Sequence, residues 1–323
     1  EAFKSSRPII VMLNKSLREN FRDNLKFCGF DFFRTNQHWF FHKFTENDPM
    51  KQYAKNLKIK IKRDLMGAWF IDFKKEPNFE SLTKIQQQQI NNQINDLIDT
   101  RYKFINMDGL NEKRLKKMED EKEFDNSVLI IDEVHNLTNA MSKMSPGIRA
   151  RYLENIIMNA VNLKLVFLSG TPMINNLFET AKLFNMLRGF IKTFDIIIKT
   201  RGDINWDIIE KMLNDSNIID QNFVDRKNKT ISLTRIPQGF VKTSNGITKS
   251  PGSNTYDEKE FRQYLNSFLP ENSISVKNYT AFPNKEDDFM KLFFDNTKNE
   301  FKNKELFKSR ILGLVSYYRT QDK

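Results

Sequence analysis

The pattern of hydrophobic and polar residues predicts two buried strands near the middle of the chain. One lies in the stretch Ser127–His135 and the other in the stretch Lys164–Pro172. Each is a short, β-branched apolar run that stops abruptly at polar residues, which is typical of a strand buried on both faces of a parallel sheet. A helix is predicted between them over residues 148–161, so the two strands are expected to be joined by a βαβ crossover in one sheet.

The same pattern predicts the other helices and strands. The stretch Arg7–Leu13 is expected to be a buried strand followed by an amphipathic helix, in which Ser16 and Glu19 have the spacing of a capping box. Residues 58–63 alternate lysine with isoleucine and predict an edge strand or a basic stripe that faces nucleic acid. Further helices are predicted over 81–100, 111–123, 177–187, 206–213 and 287–319, further strands over 101–106, 194–198, 222–225 and 230–234, and a loop over 243–254.

Two carboxylates follow the first of the central strands. Asp132 and Glu133 stand at its carboxyl end, which is the edge where open α/β sheets bind ligands. They form a Walker B arrangement, in which Asp132 would hold the Mg²⁺ of a nucleotide through water and Glu133 would orient and deprotonate the attacking water. A plainer interpretation is that an Asp-Glu pair simply ends a strand, because short motifs have many false matches.

The second central strand adds a motif that favours the Walker B interpretation over a plain strand end. The stretch Asp132–His135 together with Ser169–Glu179 resembles motifs II and III of the superfamily 2 helicases, most closely those of the Swi/Snf-type double-stranded DNA translocases and their relatives in large DNA viruses. The resemblance implies a RecA-like α/β domain, a parallel sheet flanked by helices, that hydrolyses ATP with Mg²⁺ and acts on DNA or RNA. It also implies a loop that couples the state of the bound nucleotide to the binding of nucleic acid. His135 would contact the serine or the threonine of this loop. This loop consists of Ser169, Gly170 and Thr171.

The resemblance further implies where nucleic acid binds. The helix after Arg7–Leu13 corresponds to motif Ia, whose first turn takes a backbone phosphate on exposed amides, and Lys15 and Ser16 are the candidates there. The stretch after the strand at 101–106 stands where the family has motif Ib or Ic, with Asn106 and Gly109 as the candidates. Without the resemblance, an ordinary capped helix in a Rossmann-like unit would be the preferred explanation of the first stretch.

The phosphate-binding loop of the family is absent from this sequence. No Gly-x-x-x-x-Gly-Lys-Thr pattern occurs, and Asn14–Ser16 lacks the glycines that let a backbone wrap a phosphate. The resemblance also ends before motifs IV–VI, which carry the arginine fingers of the second motor domain. We therefore expect the chain to be a fragment that begins just after its Walker A helix and is catalytically inactive alone.

Three regions are expected along the chain. Residues 1–190 would form the first RecA-like domain, of which 29–125 is largely an insertion, and residues 191–285 a small inserted α+β module. Residues 286–323 resemble the helical start of the second RecA-like domain in the viral group that includes the poxvirus early transcription factor small subunit. The implied setting is viral transcription in the virion and the host cytoplasm, with a viral RNA polymerase or transcription-factor subunit as a further partner.

Composition adds weaker constraints. The 323 residues have a formal net charge of +11, which favours a polyanionic partner such as nucleic acid, although heavy use of Lys, Asn, Ile and Phe in an AT-rich genome has the same effect. A single cysteine rules out an internal disulfide and fits a reducing compartment. No apolar stretch approaches the roughly 20 residues that span a bilayer, so a soluble protein without membrane contact is expected.

Two functions follow from these observations. The first is a part of an ATP-dependent nucleic-acid helicase or translocase. The second is a non-catalytic scaffold or nucleic-acid-binding subunit of a viral transcription or virion assembly. The missing phosphate-binding loop would favour the second if the chain were complete, and the intact Asp132, Glu133, His135 and Ser169–Thr171 favour the first.

Overall fold

The computed structural model describes residues 7–61, 65–143, 146–236, 239–243, 246–249, 257–295, 297 and 300–316. Contacts within the chain divide it into two compact units, residues 1–174 and residues 175–323. The expected domain boundaries at residues 190 and 285 stay predictions. In the described part of the chain, no helix is both long and apolar enough to cross a membrane.

The first unit alternates strands and helices, as an α/β fold does. Its elements in chain order are β1 (Ile9–Leu13), α1 (Arg18–Cys28), β2 (Trp39–Lys43), α2 (Pro49–Asn56), β3 (Gly67–Ile71), α3 (Lys84–Arg101), β4 (Tyr102–Asn106), α4 (Glu112–Asp120), β5 (Val128–Ile131), α5 (His135–Ser142), α6 (Ile148–Asn159) and β6 (Lys164–Phe167). Short 3₁₀ turns follow β1 at Lys15–Leu17 and β4 at Met107–Gly109. The strands and helices predicted at 7–13, 81–106, 111–123, 127–131 and 148–168 are confirmed to within a few residues.

Four of these strands form one parallel sheet in the order β4-β1-β5-β6. β1 pairs with both β4 and β5, so that Ile9 stands beside Tyr102 on one side and Val128 on the other. All but the first residue of β1 are buried, because its apolar run is covered on both faces. Since all four strands run the same way, their carboxyl ends meet at one edge, and the turns after β1, β4, β5 and β6 lie there.

β6 differs from the prediction of a strand buried on both faces. Its residues alternate between half-buried and exposed, and Val166 and the following Leu168 keep 42% and 41% of their surface exposed. In the described part of the chain β6 pairs with β5 alone and forms one edge of the sheet. An edge strand has a neighbouring strand on one side only, so fewer side chains from other strands cover its faces. A continuous apolar run therefore does not by itself establish burial on both faces.

The start of α1 also differs from the prediction. The capping box of Ser16 and Glu19 does not form, because Ser16 lies inside the 3₁₀ turn and Leu17 is the N-cap of α1, without a side-chain capping hydrogen bond. The spacing alone did not reveal that a 3₁₀ turn separates the strand from the helix. The first helical residue is consequently Arg18.

Residues 58–61 follow the end of α2 and do not form the predicted edge strand. Residues 62–63 lie outside the described residues. Lys58 adopts a left-handed conformation with φ of 59°. Its N–H donates to the C=O of Lys55, and the N–H of Ile59 donates to the C=O of Ala54. This is a Schellman motif, which ends a helix and is often accompanied by a hydrophobic contact just beyond it. Ile59 accordingly packs in the core.

The second unit contains an antiparallel sheet and several helices. Its elements in chain order are α7 (Phe178–Arg188), β7 (Phe190–Ile198), α8 (Trp206–Asp215), β8 (Ile219–Asp225), β9 (Thr230–Arg235), β10 (Phe240–Thr243), β11 (Gly246–Lys249), α9 (Glu258–Asn266), β12 (Asn272–Thr280), α10 (Glu286–Phe293), β13 (Phe294–Asp295), β14 (Glu300–Phe301) and α11 (Lys304–Ile311). The helices predicted at 177–187 and 206–213 and the hairpin of 222–225 with 230–234 are confirmed. The sequence pattern did not indicate α9 and β12.

Between residues 190 and 280 the described elements form a small α+β module. Its sheet has the order β12-β7-β9-β8, every pair is antiparallel, and the main elements follow one another as β-α-β-β-α-β, the split βαβ arrangement. Phe194 and Ile196 of β7 belong to one buried cluster with Leu213 of α8 and Phe261 of α9. The module therefore has a core of its own.

The tail is not the continuous helix predicted over 287–319. α10 and α11 are separated by the short antiparallel pair of β13 and β14. Rings from both helices pack together, among them Phe289, Phe293 and Phe307, so residues that are spaced like one helical stripe come from separate elements. Residues 317–319 lie outside the described residues.

The loop predicted over 243–254 is in part a strand. Residues 246–249 form β11, which pairs with β10 as an antiparallel hairpin. Residues 244–245 and 250–254 lie outside the described residues.

Candidate nucleotide and nucleic-acid site

The turns at the carboxyl edge of the parallel sheet bring the two central motifs together. The N–H of Asp132 donates to the C=O of Met12 in β1 at 3.0 Å, and the N–H of Leu168 donates to the C=O of Ile131 in β5 at 2.9 Å. The N–H of Val134 donates in turn to the C=O of Leu168 at 3.1 Å. These backbone hydrogen bonds extend the sheet beyond its strands, so the segments after β5 and β6 are fixed against each other.

Glu133 has an unusual backbone conformation in the turn between β5 and α5. Its φ of 51° lies in the left-handed region, which costs a residue with a Cβ about 1 kcal/mol or more. Its N–H donates to Oδ1 of Asp132 at 3.1 Å, and its C=O accepts the N–H of Asn136 at 3.0 Å. Strain of this kind persists only where the surroundings fix it, and such positions cluster at functional sites.

His135, the first residue of α5, links the two motifs. Its Nδ1 lies 2.9 Å from Oγ of Ser169 and 3.1 Å from Oε2 of Glu133. Oγ of Ser169 also accepts the N–H of Thr171 at 3.1 Å. The contact between His135 and Ser169 that the resemblance implies is therefore present, and the roles of these residues stay predictions.

One ring nitrogen of His135 serves both contacts. If Nδ1 carries a proton, it donates a hydrogen bond to the Glu133 carboxylate or to Ser169. If it does not, it accepts a hydrogen bond from the Ser169 hydroxyl. The His135 side chain is 13% exposed and that of Glu133 is 41% exposed. The arrangement thus connects a solvent-facing carboxylate, through a nearly buried imidazole, to the loop after β6.

Asp132 suits a magnesium ion that is shared with a nucleotide. One of its carboxylate oxygens is engaged by the Glu133 N–H. In nucleotide sites Mg²⁺ keeps several waters and uses one or two carboxylates together with phosphate oxygens. In the described part of the chain, no group of three or more His, Cys, Asp or Glu side chains is arranged to enclose a metal ion. The residues present therefore fit a nucleotide-bound ion and do not form an all-protein metal site.

The four candidate nucleic-acid residues are exposed at the same edge. Lys15 and Ser16 lie in the 3₁₀ turn after β1, and Asn106 and Gly109 bound the turn after β4. Oδ1 of Asn106 accepts the N–H of Asp108 at 3.1 Å, so this side chain orders its own turn. The structure places all four on the edge that carries Asp132 and leaves their contacts with nucleic acid as predictions.

Arg149 is a further basic residue at this edge that the sequence analysis missed. It lies in the first turn of α6, and its Nη2 donates to the C=O of Asp108 at 3.3 Å. Arg149 and Arg151 are both exposed, and the first turn of α6 has no acidic residue. Basic residues at a helix N-terminus oppose the helix dipole, and this is the signal that the sequence offers.

Comparisons with known proteins give a partial match. No protein-family model matches the chain. Over 95 residues, or 29% of the chain, the sequence is 35% identical to the Termination factor NPH-I homolog of African swine fever virus, in a tick isolate from South Africa, a warthog isolate from Namibia and a pig isolate from Kenya. The match covers 13% of each of these relatives, so the chain spans a small part of their length. The chain is thus similar, in one stretch, to a viral termination factor.

Proposed function

We propose that the chain is part of an ATP-dependent nucleic-acid translocase of the superfamily 2 helicase type that acts in viral transcription. The observation that carries the proposal is the contact of His135 with both Glu133 and Ser169, because it joins a Walker B pair to a Ser-Gly-Thr loop. The similarity to a viral termination factor supports the transcriptional setting. In this proposal the parallel sheet is the core of a RecA-like motor domain, and the partners are DNA or RNA and a viral RNA polymerase or transcription-factor subunit.

Asp132 and Glu133 have separate roles in hydrolysis. Asp132 would hold the Mg²⁺ that accompanies ATP, and this ion, when bound, would neutralise charge at the phosphate oxygens. Glu133 orients a water molecule towards the terminal phosphate and accepts its proton. The partial exposure of the Glu133 carboxylate leaves it accessible to that water.

His135 transmits the state of this site to the loop after β6. When its Nδ1–H is donated to Glu133, the carboxylate is engaged with the protein, and when the contact is with Ser169, the carboxylate is free to act on water. Ser169 also holds the Thr171 N–H, so a shift of the loop changes the contact with His135. A loop displaced by nucleic acid therefore changes how freely Glu133 acts, and the nucleotide in turn changes the affinity for nucleic acid.

Nucleic acid crosses the same edge of the sheet. Lys15 and Ser16 bind one backbone phosphate at the turn after β1, and Asn106 and Gly109 bind another at the turn after β4. Arg149 adds a positive charge beside the second turn, where it already contacts the backbone of Asp108. Contacts with phosphates carry no sequence information, which suits a motor that moves along nucleic acid of any sequence.

The test is the affinity of the whole protein for a DNA or RNA oligonucleotide, measured with and without a non-hydrolysable ATP analogue. A translocase is expected to change its affinity by about fivefold or more, because allosteric coupling between two ligands typically lies in that range. An affinity that depends on salt and is unaffected by the analogue would support the second candidate, a non-catalytic scaffold. The variant Asp132→Asn is expected to lose the effect of the analogue and to keep the affinity for nucleic acid.

A further inference from the structure

Two arginines and one aspartate from three different elements of the second unit meet in a largely buried cluster. Arg188 is the last residue of α7, Arg310 lies near the end of α11, and Asp220 lies in β8. The Arg310 side chain is 11% exposed and the Asp220 side chain is 6% exposed. Nη2 of Arg188 donates to the C=O of Ser309 at 3.4 Å, which holds the Arg188 guanidinium beside α11. Arg188, Asp220 and Arg310 are referred to below as the arginine cluster.

A β-bulge places Asp220 towards Arg310. Ile219 and Gln221 pair with consecutive residues of β9, so Asp220 is an extra residue without a partner across the strand pair. Bulges of this kind re-aim a side chain at the expense of local pairing. Oδ2 of Asp220 nevertheless lies 3.8 Å from Nε of Arg310, which is beyond hydrogen-bonding distance. The carboxylate therefore attracts Arg310 without satisfying its N–H.

The arginine cluster holds more positive than negative charge. Both guanidinium groups stay protonated in proteins, and Asp220 supplies one negative charge. Burial lowers the pKa of Arg188 and of Arg310, because poor solvation disfavours the charged form, and Asp220 raises the pKa of both. Arg310 also lowers the pKa of Arg188 through repulsion between like charges. The two arginines are therefore close enough to repel each other. Asp220 lies within ion-pairing distance of Arg310 and acts on Arg188 only through its charge.

Part of the hydrogen-bonding capacity of the arginine cluster is unused. Nε of Arg310 is buried and has no hydrogen-bond partner in the part of the chain that the structure describes. Leaving a buried polar group unpaired is destabilising, and more so for a charged group. A guanidinium offers five N–H groups in a planar fork that matches the oxygens of a phosphate. An anion at the cluster would supply both the missing negative charge and the acceptor that Nε of Arg310 lacks among the described residues.

We propose that Arg188 and Arg310 bind a phosphate group, and that Asp220 keeps the two arginines in place when the phosphate is absent. Charge-assisted hydrogen bonds from arginine to phosphate are among the strongest in proteins, and an anion between two arginines removes their mutual repulsion. Asp220 repels the same anion, so it limits the affinity of the site. The phosphate belongs either to a nucleic-acid backbone or to a free phosphate compound, since both present the same oxygens. The site uses none of the residues of the proposed ATPase and does not depend on that proposal.

A purely structural ion pair is the competing explanation, and substitution of Asp220 separates the two. If the cluster only ties α7, β8 and α11 together, Asp220→Asn lowers stability and leaves the affinity for phosphate unchanged. If the cluster binds phosphate, Asp220→Asn removes the repulsion of the anion and raises the affinity. Arg310→Gln lowers the affinity only if Arg310 is a ligand.

The experiment measures the affinity of the chain for inorganic pyrophosphate by calorimetry and for a single-stranded DNA oligonucleotide by fluorescence anisotropy, at constant ionic strength. Asp220→Asn is expected to bind more tightly than the unchanged chain, and Arg310→Gln about tenfold more weakly or worse, because charge-assisted hydrogen bonds are lost. Arg226→Gln is the matched control, since Arg226 is an arginine of the same unit that is already paired with Asp207 and Glu210. Its affinity is expected to stay unchanged.

The two probes also identify the source of the phosphate. Binding of pyrophosphate that the oligonucleotide does not displace identifies a free phosphate compound, and oligonucleotide binding that Arg310→Gln weakens while Arg226→Gln does not identifies a nucleic-acid backbone. If Arg310→Gln does not fold, Arg188→Lys replaces it, because it keeps the charge, loses the planar fork and is expected to weaken binding. The proposal is overturned if the unchanged chain binds neither probe, or if Asp220→Asn binds no more tightly than the unchanged chain.

Discussion

Nδ1 of His135 lies 2.9 Å from Oγ of Ser169, across the gap between the turn after β5 and the loop after β6. The two residues are 34 positions apart in the sequence. They meet because β5 and β6 are parallel neighbours that end level, with Ile131 beside Phe167. The proposed coupling of ATP turnover to nucleic acid depends on this pair.

Ser169→Ala is expected to uncouple ATP turnover from nucleic acid in the whole protein. The variant loses the oxygen that contacts His135 and accepts the Thr171 N–H. Turnover without nucleic acid is expected to fall by less than about tenfold, since one hydrogen bond contributes roughly 1 kcal/mol, whereas stimulation by nucleic acid is lost. Turnover measured with and without DNA or RNA checks this. Ser169→Thr keeps the hydroxyl and is expected to restore stimulation, and normal stimulation in the alanine variant would contradict the coupling role.

Glycine is expected to be a more stable replacement for Glu133 than alanine. At a φ of 51° alanine keeps the clash of its Cβ, so Glu133→Gly is expected to exceed Glu133→Ala in free energy of unfolding by about 1 kcal/mol. Both variants lose the carboxylate, so the difference in their free energy of unfolding reflects the backbone conformation alone. Lys116 in the middle of α4 is the control position, where glycine is expected to be less stable than alanine by about 1 kcal/mol. Urea unfolding of the four variants measures the difference, and the same order at both positions would contradict the left-handed conformation.

The acid sensitivity of the second unit is expected to include Asp195. The Ser232 hydroxyl donates to its Oδ1 at 2.7 Å and Lys277 lies 3.0 Å from its Oδ2, and these contacts hold the pKa of Asp195 below its usual range against the opposing effect of burial. Because the pKa is lower in the folded state, the unfolded chain takes up the proton more readily. The contribution of Asp195 to stability is therefore complete at neutral pH and is lost as the pH falls from about 4 towards the folded-state pKa.

Unfolding of the chain and of Asp195→Asn at several pH values checks this expectation. The unchanged chain is expected to be the more stable at neutral pH, and the difference is expected to shrink below a pH of about 4. Asp203→Asn is the control for the loss of one exposed carboxylate from the same unit. A difference for Asp195→Asn that stays constant across the pH range would show that its ionisation is not linked to folding.

The parallel strands and the position of the central site were predictable from the sequence. Apolar runs that stop at polar residues mark buried strands, and parallel strands bring their carboxyl ends to one edge. The sequence alone therefore predicts that Asp132 and Ser169 lie at the same edge of the sheet. The exposure of β6 could not be predicted in this way, because an apolar run does not show whether its strand is central or at an edge.

Other features depend on contacts that the local sequence does not encode. The left-handed conformations of Glu133 and Lys58 could not be predicted, because both residues carry a Cβ and are held there by hydrogen bonds of the surrounding backbone. The sequence pattern predicts one helix for the tail, because apolar residues of two helices and a strand pair have a spacing that fits a helical stripe. The arginine cluster joins Arg188, Asp220 and Arg310, which are far apart in the sequence, so no local sequence motif indicates it.

The central claim, that Glu133 activates water for ATP hydrolysis, is tested most directly by the ATP turnover of the whole protein with Glu133→Gln. Glutamine keeps the shape of the side chain and does not accept the proton, so turnover is expected to fall by about 10²–10⁴-fold while nucleotide binding is retained. Glu46→Gln, which changes an exposed acid of the same unit, is expected to leave turnover unchanged. Turnover of Glu133→Gln at the level of the unchanged protein would contradict the assignment of the site.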